Sequence, residues 1–265
     1  MGKCHMQISI ADIGHTYNAG RSRQIETLRD INFTVEHGAR LAIVGPSGAG
    51  KTTLLRIIAG LLAPTRGQVK LDGEAPAQVW KRGGLGYVFQ DPVLLPWRSV
   101  AENVRLPLEI MGKLSTADAQ VESWLNAVGL SDFRDSFPDE LSGGMRSRVS
   151  IARGVVTSPT LLLMDEPFNG LDELVAQTVM EEIGAILGKL HASLLFISHN
   201  IQQAVFMSDR VIVLSSRPAT VLTEIDVPIS WPRTAQTLAD PQFAHITNEV
   251  RMTLLRASSS EGFRV

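Results

Sequence analysis

Short apolar runs of strand length alternate along this chain with longer segments of helical pattern. The runs at residues 40–44, 85–89, 161–164 and 194–197 contain almost no polar side chains. Continuous apolar runs are typical of strands that are buried on both faces of a parallel sheet. Segments of helical periodicity, such as residues 54–62, separate these runs. The pattern therefore predicts an α/β fold around a mostly parallel sheet.

A region of different character separates Gln90 from Ser142. Residues 100–111 and 116–128 have helical patterns, and no strand pattern intervenes between them. Pro107 predicts a bend in the first of these helices, because proline removes a backbone donor. We interpret the region as a helical insertion into the α/β core.

The composition changes again after about residue 216, where prolines become frequent. Asp240 and Pro241 have the character of an N-cap and a first helical residue, so they predict the start of a final helix. The apolar residues on one side of this helix are Phe243, Ile246, Val250 and Leu254. We expect this stripe to pack on the protein's own core rather than to form a partner surface.

Composition narrows the class of protein. The 25 basic and 27 acidic residues give a formal net charge of −2, and 44% of the residues are hydrophobic. These values argue against a disordered chain and against a dedicated nucleic-acid binder, which usually has a basic excess. Cys4 is the single cysteine of the sequence, which excludes an intramolecular disulfide and fits a reducing compartment. No run approaches the roughly 18 apolar residues of a membrane-spanning helix, so we expect no crossing by this chain alone.

A glycine-rich motif lies between a predicted strand and a predicted helix. The residues Gly45, Pro46, Ser47, Gly48, Ala49, Gly50, Lys51 and Thr52 match the pattern G-x-x-x-x-G-K-[ST]. Glycines let successive N–H groups surround an oligophosphate, and the helix N-terminus adds partial positive charge. Lys51 would reach the β- and γ-phosphates, and the Thr52 hydroxyl would bind Mg²⁺. The alternative, a glycine-rich turn with a surface lysine, does not explain the strand–loop–helix context.

Two adjacent carboxylates follow the apolar run at residues 161–164. Asp165, at the predicted strand end, can hold Mg²⁺, and Glu166 can polarise an attacking water. The alternative is an acidic strand end that faces solvent. The pair, together with the phosphate loop, predicts a Mg·ATP hydrolase. The absence of an Asn-Lys-x-Asp sequence disfavours a GTPase.

The sequence Leu141-Ser142-Gly143-Gly144-Met145 precedes another segment of helical pattern. Ser142 and the two glycines at a helix start are a second anion-binding device. Here the chain resembles the ATP-binding subunits of ABC transporters, whose signature motif reads LSGGQ or LSGGM, and the resemblance covers almost the whole sequence. It implies a P-loop NTPase fold with a RecA-like, mostly parallel core, an antiparallel β portion near the N-terminus and an inserted α-helical subdomain.

The resemblance also implies a domain plan and a set of site residues. One domain of residues 1–265 would comprise an α/β nucleotide-binding core (1–92 and 158–215), a helical subdomain (93–157) and a C-terminal tail (216–265). The implied nucleotide-binding residues are Tyr17, Gly45, Pro46, Ser47, Gly48, Ala49, Gly50, Lys51, Thr52, Thr53, Ser142, Gly143, Gly144 and Asp172. The implied catalytic residues are Glu166, His199 and Gln90, and the implied Mg²⁺ ligands are Thr52, Gln90 and Asp165.

Four of these residues take their roles only from the resemblance. Tyr17 would stack on adenine, with a buried strand tyrosine as the alternative. Gln90 would contact Mg²⁺ and water, with a solvated loop glutamine as the alternative. Asp172 would reach across a dimer interface, with an ordinary helix N-cap as the alternative. His199 would hold the γ-phosphate and the catalytic water.

The resemblance further implies partners and a location. Two copies would pair head to tail, with ATP between the phosphate loop of one and the Ser142 region of the other. Closure and hydrolysis would drive transmembrane permease subunits, and the chain would lie against them at the cytoplasmic face of the membrane. A solute-binding protein would deliver the solute to these subunits. No nucleic-acid partner is implied. Residues 90–97, 141–145 and 198–205 look like the nitrate, sulfonate and taurine importer group, and related groups that import thiamine precursors or other small solutes share these details. Ser147, Asn200 and the pair Asn169-Gly170 depart from the common pattern, which weakens the subgroup assignment more than the activity.

Two other function classes compete with import. A soluble ABC protein could act as an ATP-driven clamp in DNA repair or translation, but such proteins usually carry a coiled-coil insertion, tandem ATPase halves or a basic face. A regulatory module could bind nucleotide without hydrolysis, which the Glu166–His199 pairing argues against. Trp97 is either a docking residue for the membrane partner or a buried tryptophan.

Overall fold

The computed structural model describes residues 7–19 and 24–259. Cys4 lies outside these residues. Within them the strands are β1 (Ile8–Tyr17), β2 (Ile25–Val35), β3 (Arg40–Val44), β4 (Arg66–Leu71), β5 (Leu85–Val88), β6 (Leu161–Asp165), β7 (Ser193–Ile197), β8 (Arg210–Leu214) and β9 (Val221–Asp226). The α-helices are α1 (Lys51–Ile58), α2 (Pro76–Lys81), α3 (Val100–Ile110), α4 (Ala117–Ala127), α5 (Gly143–Val155), α6 (Glu173–Leu190), α7 (Ile201–Met207) and α8 (Pro241–Ser259).

A six-stranded sheet with the order β5-β6-β7-β3-β8-β9 forms the centre of the molecule. Its first five strands are parallel, and β9 pairs antiparallel with β8. Every residue of β3, β6 and β7 is buried, as their apolar sequences predict. Ile197 pairs with Ile43 on one side and with Asp165 on the other, so the carboxyl ends of β3, β6 and β7 meet at one edge. This edge is where an open α/β sheet binds its ligands.

A separate antiparallel sheet with the order β2-β1-β4 lies beside this edge. Its β2 strand approaches the phosphate loop, because the Thr27 side chain lies against Gly50. The fold class predicted from the sequence is therefore confirmed, including the antiparallel portion near the N-terminus.

The helix bounds differ from the predicted ones in small but informative ways. The predicted helix 54–62 is α1 (Lys51–Ile58), which begins three residues earlier and ends four residues earlier. It ends where Gly60 adopts a φ of 71° and donates its N–H to the Ile57 carbonyl, a common glycine-terminated helix end. The predicted helices 100–111 and 116–128 correspond to α3 and α4, and Pro107 lies inside α3.

Residues after 216 pack closely on the core. The strand β9 was not predicted, because its alternating burial gives a weaker signal than the buried parallel strands. In α8, Phe243, Ile246 and Val250 are buried in the main apolar cluster, and Leu254 packs against it. The predicted packing of this stripe on the protein's own core is therefore confirmed.

Four side chains, those of Arg40, Asp209, Trp231 and Arg233, attach the segment before α8 to the sheet. The Trp231 ring lies between two guanidinium groups, those of Arg40 at 3.5 Å and Arg233 at 4.2 Å. The Trp231 Nε1–H donates to Asp209 Oδ1 over 2.7 Å. The fully buried Arg233 side chain donates to the carbonyls of Val205, Phe206, Ser208, Val227 and Ile229. These contacts make residues 231–233 a structural attachment rather than a loose tail.

None of the helices within residues 7–19 and 24–259 is long and apolar enough to cross a membrane.

Candidate nucleotide-binding site

The loop of residues 45–50 joins the end of β3 to the start of α1. Gly50 has a φ of 108°, and a Cβ there would lie 2.6 Å from Thr27 Cγ2, so only glycine fits. The Lys51 side chain folds back over the loop and donates from Nζ to the Gly45 and Pro46 carbonyls, each over 2.9 Å. The glycine-rich motif thus forms a closed loop at the N-terminus of a helix, as phosphate binding requires.

Thr52 and Asp165 meet beside this loop. The Thr52 Oγ1–H donates to Asp165 Oδ1 over 3.1 Å, although the two residues are 113 positions apart. The contact arises because Asp165 is the last residue of β6, which ends at the same sheet edge as β3. A hydroxyl and a carboxylate oxygen are both ligands that Mg²⁺ accepts.

Glu166 and His199 form a second polar pair at this edge. The Glu166 N–H donates to the Ile197 carbonyl over 3.0 Å, and its φ of 49° turns the chain sharply after β6. The His199 Nδ1 atom lies 3.1 Å from Glu166 Oε2. The Glu166 side chain is 17% exposed and that of His199 is 59% exposed, so the pair faces solvent at the mouth of the site.

Burial disfavours the charged forms of two groups in the site. Burial lowers the pKa of Lys51, while the carboxylates of Glu166 and Asp165 act in the opposite direction. Burial raises the pKa of Asp165, and its hydrogen bond from Thr52 opposes that rise. A ligand of opposite charge would stabilise each charged form: a phosphate for the Lys51 ammonium and a cation for the Asp165 carboxylate.

Tyr17 lies at the end of β1, over the start of α1. Its hydroxyl is 3.1 Å from Thr53 Oγ1, and its ring meets that of His15 edge-on at 4.6 Å. The Tyr17 side chain is 39% exposed, so the alternative of a buried strand tyrosine is wrong. An exposed ring beside the phosphate loop is available for stacking on a base.

Ser142 and Asp172 both stand at helix N-termini. Ser142 Oγ accepts from the Met145 N–H at the start of α5, with Gly143 and Gly144 as the first helical residues. Asp172 Oδ1 accepts from the Leu174 N–H over 3.0 Å, so the alternative role of a helix cap is present in the structure. A Cβ added to Gly144 would lie 3.3 Å from the Leu171 side chain, which belongs to the loop before α6. Both residues are exposed, on surfaces that a second chain could reach.

Gln90 follows β5 in an exposed loop beside an apolar groove. The groove has a volume of about 400 Å³ and lies between β5 and α3. Its lining includes Tyr87, Phe89, Leu106, Ile110 and Met111. Trp97 in the same connection is 71% exposed, so the alternative of a buried tryptophan is wrong.

Sequence reasoning missed two arginines that join separate parts of the site. Arg153 of α5 donates to the Pro92 and Val93 carbonyls, which ties the helix behind Ser142 to the segment after Gln90. Arg217 donates to the Gly48 carbonyl of the phosphate loop. Neither residue belongs to a chemical motif, and only the three-dimensional fold brings them to these carbonyls.

No group of three or more His, Cys, Asp or Glu side chains in the described parts of the chain could hold a metal ion. A Mg²⁺ ion that accompanies a nucleotide needs fewer protein ligands, because phosphate oxygens and water complete its shell. Thr52 and Asp165 therefore fit the ion that the motifs imply.

Comparison with known proteins identifies the family. The family model described as "ABC transporter" matches residues 28–169, more than half of the chain. The chain belongs to the ABC transporter family. As a member of this family it binds ATP and is an ATPase.

Several ABC proteins resemble the chain over most of its length. It is 38% identical to the nitrate import ATP-binding protein of a Synechocystis species, over 97% of each chain. It is 40% identical to the taurine import ATP-binding protein of Rhizobium johnstonii, over 90% of this chain and 92% of that one. It is 35% identical to an aliphatic sulfonates import ATP-binding protein of Bacillus cereus, over 86% of this chain and 89% of that one.

Solved ABC cassettes share the fold. A dimeric ATP-binding cassette in a post-hydrolysis state, bound to ADP and phosphate, superimposes with a TM-score of 0.77 at 27% identity. The superposition covers 84% of this chain and 100% of the cassette chain. A dimeric bacterial ABC transporter cassette gives a TM-score of 0.76 at 28% identity, with the same coverage.

Proposed function

We propose that the chain is the ATP-hydrolysing subunit of an importer for a small solute of the nitrate, taurine or sulfonate type. The observation that carries the hydrolytic role is the convergence of the Glu166–His199 pair and the Thr52–Asp165 pair beside one phosphate loop. The three relatives with these import names match this chain along 86% to 97% of its length, which supports the transport role.

The proposed reaction is attack of water on the γ-phosphorus of ATP. Glu166 accepts a proton as the water oxygen bonds to phosphorus, and the bond to the bridging oxygen of ADP breaks on the opposite side. His199 holds the Glu166 carboxylate in place and is close enough to the mouth to donate to a γ-phosphate oxygen. Lys51 neutralises the charge that develops on the phosphate oxygens.

Thr52 and Asp165 would hold Mg²⁺, with Gln90 as a further ligand that approaches from its exposed loop. When bound, the ion would offset the negative charge of the phosphate oxygens. The cation would then stabilise the Asp165 carboxylate, whose charged form is disfavoured by burial.

The complete site would include a second copy of the chain. Ser142, Gly143 and Gly144 form an exposed helix N-terminus that can bind phosphate. The solved relatives are dimeric cassettes, which supports a head-to-tail pair with ATP between one phosphate loop and the partner's α5. Asp172 lies beside that helix start and would face the partner chain.

The permease subunits would dock in the apolar groove between β5 and α3. Ile110 on its rim is 77% exposed and Trp97 nearby is 71% exposed, which is costly for a surface without a partner. Phe89 and Val93, on either side of Gln90 in the sequence, line the groove, so an occupant would contact the loop that contains Gln90. The chain would thus lie at the cytoplasmic face of the membrane through its partners, with a solute-binding protein on the other side.

Growth and transport measurements test this proposal. A strain that lacks the gene should fail to grow on nitrate, taurine or an aliphatic sulfonate as sole nitrogen or sulfur source. The wild-type gene and an Leu255→Glu control, exposed on α8, should restore growth. An Ile110→Glu variant should retain ATP binding but fail to restore growth. Normal growth of the deletion strain on all three solutes, or full restoration by Ile110→Glu, would contradict the proposal.

A further inference from the structure

The turn after β8 reaches across to the phosphate loop. Arg217 in this turn donates to the Gly48 carbonyl from two nitrogens, Nε over 3.1 Å and Nη2 over 2.6 Å. Two donors on one carbonyl oxygen restrain the direction of that peptide group more firmly than a single hydrogen bond does.

The direction of the Gly48 carbonyl determines the direction of the next N–H. The peptide unit is planar and trans, so the Gly48 C=O and the Ala49 N–H point to opposite sides. With its carbonyl held outward by Arg217, the unit turns the Ala49 N–H into the loop, where it donates to the Pro46 carbonyl over 3.2 Å. This turn bond helps to close the loop whose backbone would surround the phosphates.

The turn that carries Arg217 is itself anchored. The Ala219 N–H donates to the Thr27 carbonyl, and the Arg29 N–H donates to the Ala219 carbonyl, each over 2.9 Å. These bonds attach the turn to β2, whose Thr27 side chain also lies against Gly50 of the loop. The turn that carries the Arg217 guanidinium is therefore held in place by hydrogen bonds to the neighbouring sheet.

Within residues 7–19 and 24–259, no side chain neutralises the charge of Arg217. No carboxylate among the described residues forms an ion pair with it, and its hydrogen-bond partner is a neutral carbonyl. The side chain is exposed, so its loss should alter the folding free energy little. An effect on a bound oligophosphate would therefore be separable from an effect on stability.

We propose that Arg217 is a positioning residue for nucleotide binding, which holds the Gly48–Ala49 peptide in the closed conformation of the phosphate loop and adds positive charge beside the bound phosphates. The proposal rests on the nucleotide-binding role of the loop and not on the import function. Arg217 acts through the loop and takes no part in proton transfer.

The test compares three full-length variants by ADP binding, by ATPase kinetics and by thermal unfolding. Arg217→Ala should weaken ADP binding about 3- to 10-fold, the value of one or two hydrogen bonds. The KM for ATP should rise by a similar factor while kcat stays within about 2-fold. Arg217→Lys, which keeps the charge and one donor, should bind ADP more tightly than Arg217→Ala.

Arg210→Ala is the matched control, because Arg210 lies at the other end of β8 and contacts Glu224 and the Thr34 carbonyl. Its ADP affinity should equal that of the wild type. Equal ADP affinity of Arg217→Ala and Arg210→Ala would overturn the proposal, as would a Lys variant that binds no better than the Ala variant. Failure of Lys51→Ala to weaken binding would instead contradict the assignment of the loop itself.

Discussion

The Nδ1 atom of His199 lies 3.1 Å from the Oε2 atom of Glu166, although the two residues are 33 positions apart in the sequence. The contact follows from the sheet, because β6 and β7 are parallel neighbours and each residue follows the carboxyl end of its strand. The Glu166 N–H donates to the Ile197 carbonyl and fixes the register of the pair. A base held by an imidazole beside a phosphate loop is suited to the activation of water.

Lys51→Ala tests the phosphate loop. The variant should weaken ATP binding about 10- to 100-fold, because a charged donor to the phosphates is lost. Titration of a fluorescent ATP analogue measures this change. Lys189→Ala, an exposed lysine in the last turn of α6, is the control and should bind normally. An unchanged affinity of the Lys51 variant would contradict the phosphate-loop assignment.

Asp165→Asn should stabilise the nucleotide-free protein. Burial raises the pKa of Asp165, so as pH rises the unfolded chain loses this proton before the folded chain does. The ionised group therefore lowers the free energy of unfolding at neutral pH, and a neutral amide removes that cost. We expect the thermal midpoint at pH 7 to rise by roughly 2–4 °C.

The same variant separates stability from function. The gain should shrink as pH falls through the raised pKa of the folded protein, and it should vanish below the ordinary pKa of aspartate, where Asp165 is protonated in both states. Mg²⁺-dependent ATP binding should be lost. The control Asp226→Asn, at an exposed position of β9, should change neither property. A lower midpoint for Asp165→Asn at pH 7 would show that its charge stabilises the fold.

Much of the fold could be predicted from local sequence. Four of the buried parallel strands, β3, β5, β6 and β7, are legible because both of their faces are apolar. The parallel strand β8 was not predicted, although it is buried beyond its first residue. The edge strand β9 is half exposed, so its signal is weaker. The contact of Arg40 with Trp231 joins β3 to the chain after β9, and no local pattern predicts such a long-range contact.

The candidate site was predicted to the extent that its chemistry lies in short motifs. The phosphate loop, Asp165, Glu166 and His199 come together as the motif reading expects, because all of them follow strands that end at one edge. Asp172 shows the limit of this reasoning, since its carboxylate also caps α6 in the single chain. Arg217 was missed because it acts on a backbone carbonyl and has no sequence signature.

Arg233→Met tests the attachment of the C-terminal segment. Burial lowers the pKa of Arg233 to about 10, yet the group stays charged at neutral pH and donates to five carbonyls. Methionine would leave those carbonyls without a donor. We expect a loss of about 3–5 kcal/mol in the free energy of unfolding, measured by urea denaturation.

The control for this variant is Arg29→Met. Arg29 pairs with Glu26 on an exposed surface, so its loss should change the free energy of unfolding little. Equal losses for the two variants would indicate that residues 231–233 are not a structural attachment.

The most direct measurement is size-exclusion chromatography of Glu166→Gln with Mg·ATP. The amide cannot accept the proton from water, so ATP hydrolysis should fall at least about 100-fold. The variant should therefore elute as an ATP-bound dimer, whereas the wild type and a Glu173→Gln control, exposed at the start of α6, should hydrolyse ATP and elute mainly as monomer. Undiminished ATPase activity of Glu166→Gln, with no dimer peak, would contradict the assignment of Glu166 as the base and the account built on it.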